Sequence, residues 1–322
     1  MLQKEKIFVA GHRGLIGSAI LRKLQMLGCS NILVAERKAL DLSDQRAVFE
    51  FIASERPTVV VLAAARVGGI IANSRYPADF FEENISIQQN VISAARKNDV
   101  TKLLFFGSNC AYPANIPMPL AEKALLDGAP EITNRSFAIA KVAGVEYCRA
   151  VNQQFGLRYF CVVPASTFGP ADNFDPEHSH VIAGLIRRMH EAKIQNRPFF
   201  TVWGSGTPIR EFIFSDDVAE ATTFLLSEIE DSWERLFPVG TSPIINVGSG
   251  RGITIKELAE KIKRTLGYQG ELHYDSSRPD GVSEKILDIS RISQLSWTGP
   301  STELEVGLKI SYQDYLDRFG QY

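Results

Sequence analysis

The sequence predicts an α/β protein that is built on a doubly wound parallel sheet and carries a smaller α/β lobe. Short apolar runs alternate with helical patterns through the first half of the chain, the first run leads into a glycine-rich turn, and loop-rich stretches follow Pro164. The 322 residues, 45% hydrophobic and 22% charged, suffice for one large or two modest domains with a sizeable core.

The elements of the first half follow from the periodicity of apolar residues. Strands are predicted at 6–10, 31–35, 58–62, 102–106 and 159–163. The almost continuous β-branched run at 58–62 is typical of a strand buried on both faces. Between the strands, helices are predicted at about 15–27, 44–54, 77–98 and 136–155.

Glycine- and proline-rich loops dominate the second half of the chain. They lie at 169–170, 204–206 and 279–281, and they enclose predicted helices near 180–192 and 254–266. We therefore predict a first domain over residues 1–165 and a mainly substrate-binding lobe over 166–322. Strand-like segments at 212–214 and 244–247 are expected to return to the main sheet, so that 211–247 contributes to the first domain.

Composition and charge exclude several classes of function. Thirty-five Lys+Arg against thirty-seven Asp+Glu leave no basic excess, so nucleic acid and anionic membranes are not expected partners. No apolar run approaches the ~20 residues of a membrane helix, and residues 1–6 do not resemble a signal peptide, so a cytoplasmic protein is expected. His12, His190 and His273 lack metal-ligand spacing, so no metal is predicted. Buried thiols are predicted at Cys29, Cys110, Cys148 and Cys161.

A glycine triplet with GxxGxxG spacing separates the first strand from the first helix. These glycines permit a tight turn, a close approach of the backbone to a pyrophosphate, and close packing of helix on strand. The strand before the triplet and the helix after it are the context that this motif requires. The first domain is therefore predicted to be a Rossmann-type dinucleotide-binding domain. The predicted cofactor contacts in and near this turn are Gly11, Gly14, Leu15, Ile16, Gly17 and Ala64.

The loop after the second strand decides between NAD and NADP. A carboxylate there accepts a hydrogen bond from a free ribose 2′-hydroxyl, whereas an arginine pairs with a 2′-phosphate. Glu36 follows the strand directly, but Arg37 is its neighbour and Arg13 lies in the glycine turn. Two guanidiniums that can converge on a phosphate favour NADP. The structural alternatives are a solvent-facing Glu36 and an exposed loop arginine at position 13.

Further residues carry a resemblance to a known family. Ser108 follows the fourth strand, where ligands bind in open α/β sheets, and Lys141 lies about thirty residues later on a predicted helix. With the glycine triplet and residues 62–65, they resemble the extended short-chain dehydrogenase/reductase family. Other segments are similar to the branch of that family that converts GDP-4-keto-6-deoxy-D-mannose to GDP-L-fucose with NADPH. These segments are 10–14, 67–70, 76–80, 172–174, 179–182, 203–212 and 279–281.

The resemblance implies an enzyme that epimerises C3 and C5 of this GDP-sugar and then reduces its 4-ketone. Ser108 would orient the ketone, and Lys141 would hold the cofactor ribose. The family has a catalytic tyrosine four residues before the lysine, where this chain has Phe137. General acids contribute ~10²–10⁴-fold and phenylalanine has no proton to give, so reduction is expected to be impaired. A deliberate Tyr→Phe variant and a natural paralogue both explain Phe137, and the atypical stretch 164–170 favours the paralogue.

The resemblance also implies the groups that exchange protons with the substrate. A 4-ketone acidifies the protons on C3 and C5, so inversion needs one group to take a proton and another to return it from the opposite face. Cys110 and His180 match the family's residues for these roles, and His180 also matches a cofactor contact. A small buried hydrophobe at Cys110 and a polar helix-start residue at His180 are the structural alternatives.

The resemblance places the rest of the substrate as well. Arg188 and Arg210 match the residues that bind the diphosphate, Trp203 is expected against the sugar or the base, and Asp280 matches a hydroxyl-binding carboxylate. Core packing is the alternative for Trp203, and turn formation is the alternative for Asp280.

Two other functions and the assembly state are left open by the residues. Glu36 is compatible with another nucleotide-sugar epimerase or dehydratase that retains NAD, and Phe137 is compatible with a non-catalytic protein that binds the cofactor or a nucleotide-sugar. The family resemblance implies a homodimer through two helices of the first domain. Apolar faces around 85–92 and 139–145 would serve that interface or the core equally well.

Overall fold

The computed structural model describes residues 2–278 and 280–320. Its strands are β1 (Ile7–Ala10), β2 (Ile32–Leu33), β3 (Val59–Leu62), β4 (Lys102–Phe106), β5 (Arg158–Pro164), β6 (Ser166–Phe168), β7 (Phe199–Trp203), β8 (Ile209–Arg210), β9 (Phe212–Phe214), β10 (Ile244–Val247), β11 (Ile253–Thr254), β12 (Glu271–Asp275) and β13 (Glu284–Lys285). Its helices are α1 (Leu15–Met26), α2 (Gln45–Glu55), α3 (Ile70–Arg75), α4 (Pro77–Lys97), α5 (Arg135–Phe155), α6 (Val181–Ile194), α7 (Ser215–Leu236), α8 (Ile255–Leu266), α9 (Ser290–Ser293) and α10 (Leu304–Phe319). Short 3₁₀ turns occur at Leu2–Lys4, Asn109–Ala111, Glu122–Leu126 and Ile132–Asn134.

A six-stranded parallel sheet forms the centre of the fold. Its strand order is β10-β5-β4-β3-β1-β2, and every neighbouring pair is parallel. Chain order reverses direction at the β1–β3 boundary, so the turn after β1 opens into the crevice where ligands bind in such sheets. The predicted α/β class with a doubly wound parallel sheet is thus confirmed.

The predicted helices match the observed ones to within two residues at each end. Asp44, for example, caps α2 by accepting a hydrogen bond from the Ala47 amide at 3.1 Å. The second strand is shorter than predicted, because only Ile32 and Leu33 pair with β1. No helix in the described part of the chain is long and apolar enough to cross a membrane.

The region 211–247 divides between two sheets. Strand β10 joins the main sheet beside β5, with Ile244 opposite Cys161, and α7 packs on the same core through residues such as Val218 and Leu225. The expectation that 212–214 also returns to the main sheet is wrong, because β9 pairs with β6. Strand β6 begins just after β5 ends at Pro164, so it extends away from the main sheet and carries β9 with it.

The remaining elements form a second hydrophobic cluster. Helices α6, α8 and α10 pack around buried residues such as Leu185, Leu258 and Leu308, next to the parallel pair β7–β12. Buried Glu211, just before β9, connects segments that are far apart in the chain. Its carboxylate accepts hydrogen bonds from the amides of Gly250 at 2.7 Å and Leu287 at 2.8 Å. Removing one partner of a buried, hydrogen-bonded carboxylate is costly, so this contact fixes the start of β9.

Candidate active site

The glycine turn after β1 has the close contacts that a dinucleotide site needs. Gly11 has a φ of +90°, and a Cβ there would lie 2.7 Å from the Ala64 amide nitrogen, beyond the end of β3. A Cβ at Gly17 would collide with the Gly11 carbonyl oxygen, whereas one at Gly14 would stay 3.5 Å from it. Gly14 caps α1 without a side-chain hydrogen bond, so the first amides of α1, at Leu15 and Ile16, remain available to a phosphate. The turn therefore fits a dinucleotide.

The two arginines predicted to bind a 2′-phosphate are each held by carboxylates. Arg13 forms an ion pair with Glu36. The Nη1 atom of Arg37 lies 3.0 Å from Glu83 Oε1, and its Nε lies 3.8 Å from Asp41. Both arginine side chains are 71% exposed. The exposed ion pair of Arg13 with Glu36 contributes little free energy, so a phosphate can replace Glu36 at small cost.

Ser108 and Cys110 lie at the carboxyl end of β4. The Ser108 hydroxyl accepts a hydrogen bond from the Cys110 amide at 3.2 Å, which starts the 3₁₀ turn Asn109–Ala111. The Cys110 Sγ lies 3.7 Å from Asn109 Oδ1, and this thiol is half-buried, unlike the fully buried thiols of Cys29, Cys148 and Cys161. Cys110 is thus the one of the four cysteines that departs from the predicted burial.

Phe137 and Lys141 lie on one face of α5, as their spacing predicts. The Lys141 ammonium donates to the Phe106 carbonyl at the end of β4 at 2.9 Å and lies 5.8 Å from the centroid of the Phe137 ring. Phe137 is 7% exposed, and its ring lies edge-on to the ring of Phe80 with the two centroids 6.3 Å apart. Cys110 packs against the small apolar cluster that contains both rings. Lys141 is 4% exposed, and this burial lowers its pKa to about 8.

His180 reaches the site on the segment that precedes α6. It is the N-cap residue of α6, and two residues earlier the His178 carbonyl accepts a hydrogen bond from the Gly69 amide at 3.2 Å. Gly68, beside that contact, packs on Phe80. The His180 side chain is open to solvent but surrounded by protein on several sides, and the resulting desolvation lowers the pKa of the imidazole. A neutral imidazole at pH 7 is able to accept a proton.

The predicted substrate residues line the lobe side of the cleft. The Arg188 guanidinium lies 4.1 Å from the centroid of the Trp203 ring at the end of β7, and burial lowers the pKa of this arginine. Arg210 donates to the Ile209 carbonyl at 2.8 Å. Its charge is close enough to interact with Glu131, Cys110 and Asp280, which links the lobe to the end of β4.

Asp280 helps to form a turn, which is the structural alternative to its predicted role. Its Oδ1 accepts a hydrogen bond from the Ser205 amide at 2.7 Å, so the carboxylate holds the turn that follows Trp203. Pro279, in the same predicted motif, lies outside the described residues. The structure adds Arg278, whose guanidinium lies 5.7 Å from the Trp203 ring. Its position next to the predicted Pro-Asp-Gly turn was the signal in the sequence.

Comparisons with known proteins identify the family of this chain. A model of the NAD dependent epimerase/dehydratase family matches residues 7–248. The chain is 48% identical over 324 residues to GDP-L-fucose synthase of Escherichia coli (strain K12), covering 99% of both chains. It superimposes with a TM-score of 0.92 and 34% identity on a GDP-6-OMe-4-keto-L-xylo-heptose reductase from C. jejuni, covering 99% of both. A GDP-mannoheptose C4 reductase from Campylobacter jejuni with NADP bound gives a TM-score of 0.88 at 34% identity, with 98% and 99% covered.

These matches extend over both the glycine turn and the lobe that carries Arg188, Trp203 and Arg210. The chain belongs to the NAD dependent epimerase/dehydratase family, in which it is similar over its whole length to GDP-L-fucose synthases.

Proposed function

We propose that this protein is an NADPH-dependent enzyme that epimerises C3 and C5 of GDP-4-keto-6-deoxy-D-mannose and reduces its 4-ketone to give GDP-L-fucose, with the reduction slowed by Phe137. The observation that carries the proposal is the meeting of three groups at the end of β4: Ser108, Cys110 and the Lys141 ammonium, which is bonded to the Phe106 carbonyl. The near-full-length similarity to a GDP-L-fucose synthase supports the choice of substrate.

For reduction, the residues position the ketone and set the local charge. NADPH, when bound in the glycine turn, supplies the hydride for C4. Ser108 offers a hydroxyl to the ketone oxygen, and Lys141 places a positive charge beside the developing alkoxide. Position 137 is where a proton donor is expected, and the Phe137 ring cannot donate. Water or Ser108 is left to protonate the oxygen, which accounts for a slow reduction.

For epimerisation, the two proton-exchanging groups are Cys110 and His180. One group removes the proton next to the ketone and leaves an enediolate, and the other returns a proton from the opposite face. The lowered pKa of His180 keeps its imidazole neutral and able to accept. Arg210 lies close enough to Cys110 for the two groups to interact electrostatically. Neither group depends on a hydroxyl at position 137.

Isotope exchange tests the two half-reactions separately. The protein is incubated with NADPH and GDP-4-keto-6-deoxy-D-mannose in D₂O, the sugar nucleotide is analysed by mass spectrometry, and NADPH is followed by absorbance. We expect deuterium at C3 and C5 with little loss of NADPH. Neither deuterium nor NADPH loss would leave only the binding of cofactor or nucleotide-sugar and would refute the proposal.

Two variants assign the proton exchange to named groups. Cys110→Ser and His180→Gln should each reduce deuterium incorporation by roughly 10²- to 10⁴-fold. Cys29→Ser serves as the matched control, because Cys29 is a buried thiol at the far end of α1. Equal incorporation in all three variants would contradict the assignment of Cys110 and His180.

The assembly state is part of the same proposal. We propose a homodimer through the outer faces of α4 and α5, where Phe81 and Ile139 are each 41% exposed. Sedimentation should give a dimer for the parent chain and a monomer for Ile139→Arg, and a monomeric parent would refute this interface. The cytoplasmic location stays a prediction from the sequence.

A further inference from the structure

Residues 67–70 are among the segments that resemble the family, but the steps described above give them no role. Gly68 and Gly69 of this segment lie between the end of β3 and the start of α3. They approach residues 177–179, which come directly before His180 and lead into α6. The glycine pair is therefore close to one of the two proton-exchanging groups without being one of them.

The two proton-exchanging groups are carried by different parts of the fold. Cys110 follows β4 of the main sheet, whereas His180 begins α6 of the second hydrophobic cluster. Inversion needs them on opposite faces of one sugar ring, so their separation has to stay within a narrow range. A displacement of ~1 Å can cost ~10²-fold in rate. A contact that fixes the segment before α6 to the first domain therefore affects the rate of epimerisation.

Gly69 forms such a contact, and the contact depends on the absence of a side chain. Its amide donates a hydrogen bond to the His178 carbonyl at 3.2 Å. A Cβ on Gly69 would lie 2.8 Å from the Ser179 carbonyl oxygen. The φ of Gly69 is −67°, which any residue adopts, so backbone conformation does not require glycine here. The requirement is space, because a larger residue would push Ser179, and with it His180, away from α3.

The segment before His180 is held together by its own hydrogen bonds. Asp175 Oδ1 accepts hydrogen bonds from the amides of Glu177 at 2.9 Å and His178 at 3.0 Å. The Asp175 carbonyl accepts another from the Ser179 amide at 3.1 Å. These bonds leave the segment little freedom to absorb a push, so a displacement at Ser179 is passed on to His180.

The other side of the glycine pair is anchored near Cys110. Asn73 on α3 is 6% exposed, and its Nδ2 donates to the Gly68 carbonyl at 2.7 Å and to the Gly69 carbonyl at 3.1 Å. The preceding residue, Ala72, belongs to the small apolar cluster on which Cys110 packs. Helix α3 therefore connects the glycine pair to the surroundings of Cys110.

A side-chain contact also joins the two segments. Arg75 Nη1 lies 3.4 Å from Glu177 Oε2, and the two side chains are 60% and 62% exposed. Exposed ion pairs contribute little free energy. The backbone contact at Gly69 is therefore expected to fix the segment more strongly than this ion pair.

We infer that Gly69 is a positioning residue for the epimerisation: its amide, and the space left by its missing side chain, set the distance from His180 to Cys110. Asn73 holds Gly69 in place for this role. The inference rests on the proposed function for the roles of Cys110 and His180. Gly69 acts through His180 rather than on the substrate, so its effect should vanish when the imidazole is removed.

A double-mutant cycle tests whether Gly69 acts through His180. Gly69→Ala should lower the rate of deuterium incorporation at C3 and C5 by roughly 10- to 100-fold, with the affinity for NADPH unchanged in a fluorescence titration. In the His180→Gln background, followed over longer incubations, it should cause no further loss, because the group that Gly69 positions is already absent. A merely structural role would lower the rate by the same factor in both backgrounds.

Three further variants control for indirect effects, and thermal unfolding shows whether each is folded. Gly184→Ala places a Cβ 2.9 Å from the Ser179 hydroxyl, which can rotate away, so it should exchange deuterium like the parent. Glu177→Gln removes the exposed ion pair and should change the rate by less than roughly fivefold. Asn73→Ala releases the Gly69 carbonyl and should cause a loss that again depends on His180.

A second measurement needs no substrate. The His180 imidazole is titrated by NMR, and its signal is identified by its absence in His180→Gln. Desolvation lowers the pKa of this imidazole in the parent. In Gly69→Ala the displaced segment should admit more water, so the pKa should rise toward its ordinary value of 6.5. In Gly184→Ala the pKa should equal that of the parent.

The outcomes distinguish this inference from the proposed function. Equal losses in the two backgrounds, or the same imidazole pKa in Gly69→Ala and the parent, would overturn the inference. A parent that exchanges no deuterium, while Gly69→Ala still raises the pKa of His180, would refute the proposed function and retain the control of Gly69 over the position of His180. Deuterium exchange in the parent with an unchanged imidazole pKa in Gly69→Ala would do the reverse.

Discussion

Phe137→Tyr adds one hydroxyl at the position where the family carries its proton donor. The Phe137 ring is buried at the start of α5, edge-on to Phe80, and its centroid lies 5.8 Å from the Lys141 ammonium. The added phenol would therefore sit beside a positive charge that is already fixed by the Phe106 carbonyl. We expect this single atom to restore fast reduction and to leave epimerisation almost unchanged.

The magnitude follows from that distance. A negative charge placed at the distance of the ring centroid, 5.8 Å from the ammonium group, gains about 3 kcal/mol at an effective dielectric constant of about 20. This charge lowers the pKa of the introduced phenol toward the working pH, which is what an efficient general acid requires. An energy of about 3 kcal/mol corresponds to roughly 100-fold in rate, at the lower end of the ~10²–10⁴-fold range for a positioned general acid.

The assay compares single-turnover oxidation of NADPH in the parent and in Phe137→Tyr, with deuterium incorporation at C3 and C5 measured in the same samples. Phe80→Tyr is the control, because it adds the same hydroxyl to the neighbouring ring. Thermal unfolding shows whether each variant is folded. Adding Lys141→Met to Phe137→Tyr should remove most of the gain, since the charge that lowers the pKa of the phenol is lost.

Unchanged NADPH oxidation in a folded Phe137→Tyr variant would refute the reasoning, because position 137 would then not face the ketone oxygen. An equal gain in Phe80→Tyr would refute it as well. That result would mean that a hydroxyl speeds the reduction even when it is not on the helix face that carries Lys141.

Three further predictions follow from packing and burial. Gly17→Ala drives a Cβ into the Gly11 carbonyl oxygen and should weaken NADPH binding by roughly tenfold in a fluorescence titration. The Cβ of Gly14→Ala would lie 3.5 Å from the same oxygen, so this variant should bind NADPH like the parent. Equal losses of affinity in the two variants would contradict this prediction. Burial lowers the pKa of Lys141 from 10.5 to about 8, so the unfolded chain binds more protons in that window and the free energy of unfolding should rise with pH there. Urea unfolding should show this rise in the parent and not in Lys141→Met. Burial raises the pKa of Asp172 from 3.8 to about 7, so the folded chain binds more protons in that range and the free energy of unfolding should fall as pH rises. In the same urea experiment, Asp172→Asn should not show this fall.

Local patterns in the sequence determined most of the elements and the core of the candidate site. The predicted helices depend on apolar periodicity, which a segment carries within itself, and they match the structure closely. Ser108 and the Phe137–Lys141 pair were also predictable, because strand ends and an i,i+4 spacing place side chains without knowledge of the rest of the fold. Helix α7, outside the predicted set, shows the same kind of pattern in Val218, Leu225 and Ile229.

Contacts between segments far apart in the chain were decided only by the tertiary structure. The pairing of β9 with β6, the ion pair of Arg13 with Glu36, and the hydrogen bond of Gly69 with His178 each join segments whose local sequences do not specify a partner. The pKa of Lys141 is of the same kind, because desolvation depends on every atom that surrounds the ammonium group. Periodicity is local and can be predicted from a window of residues, whereas packing and electrostatics are sums over the whole folded chain.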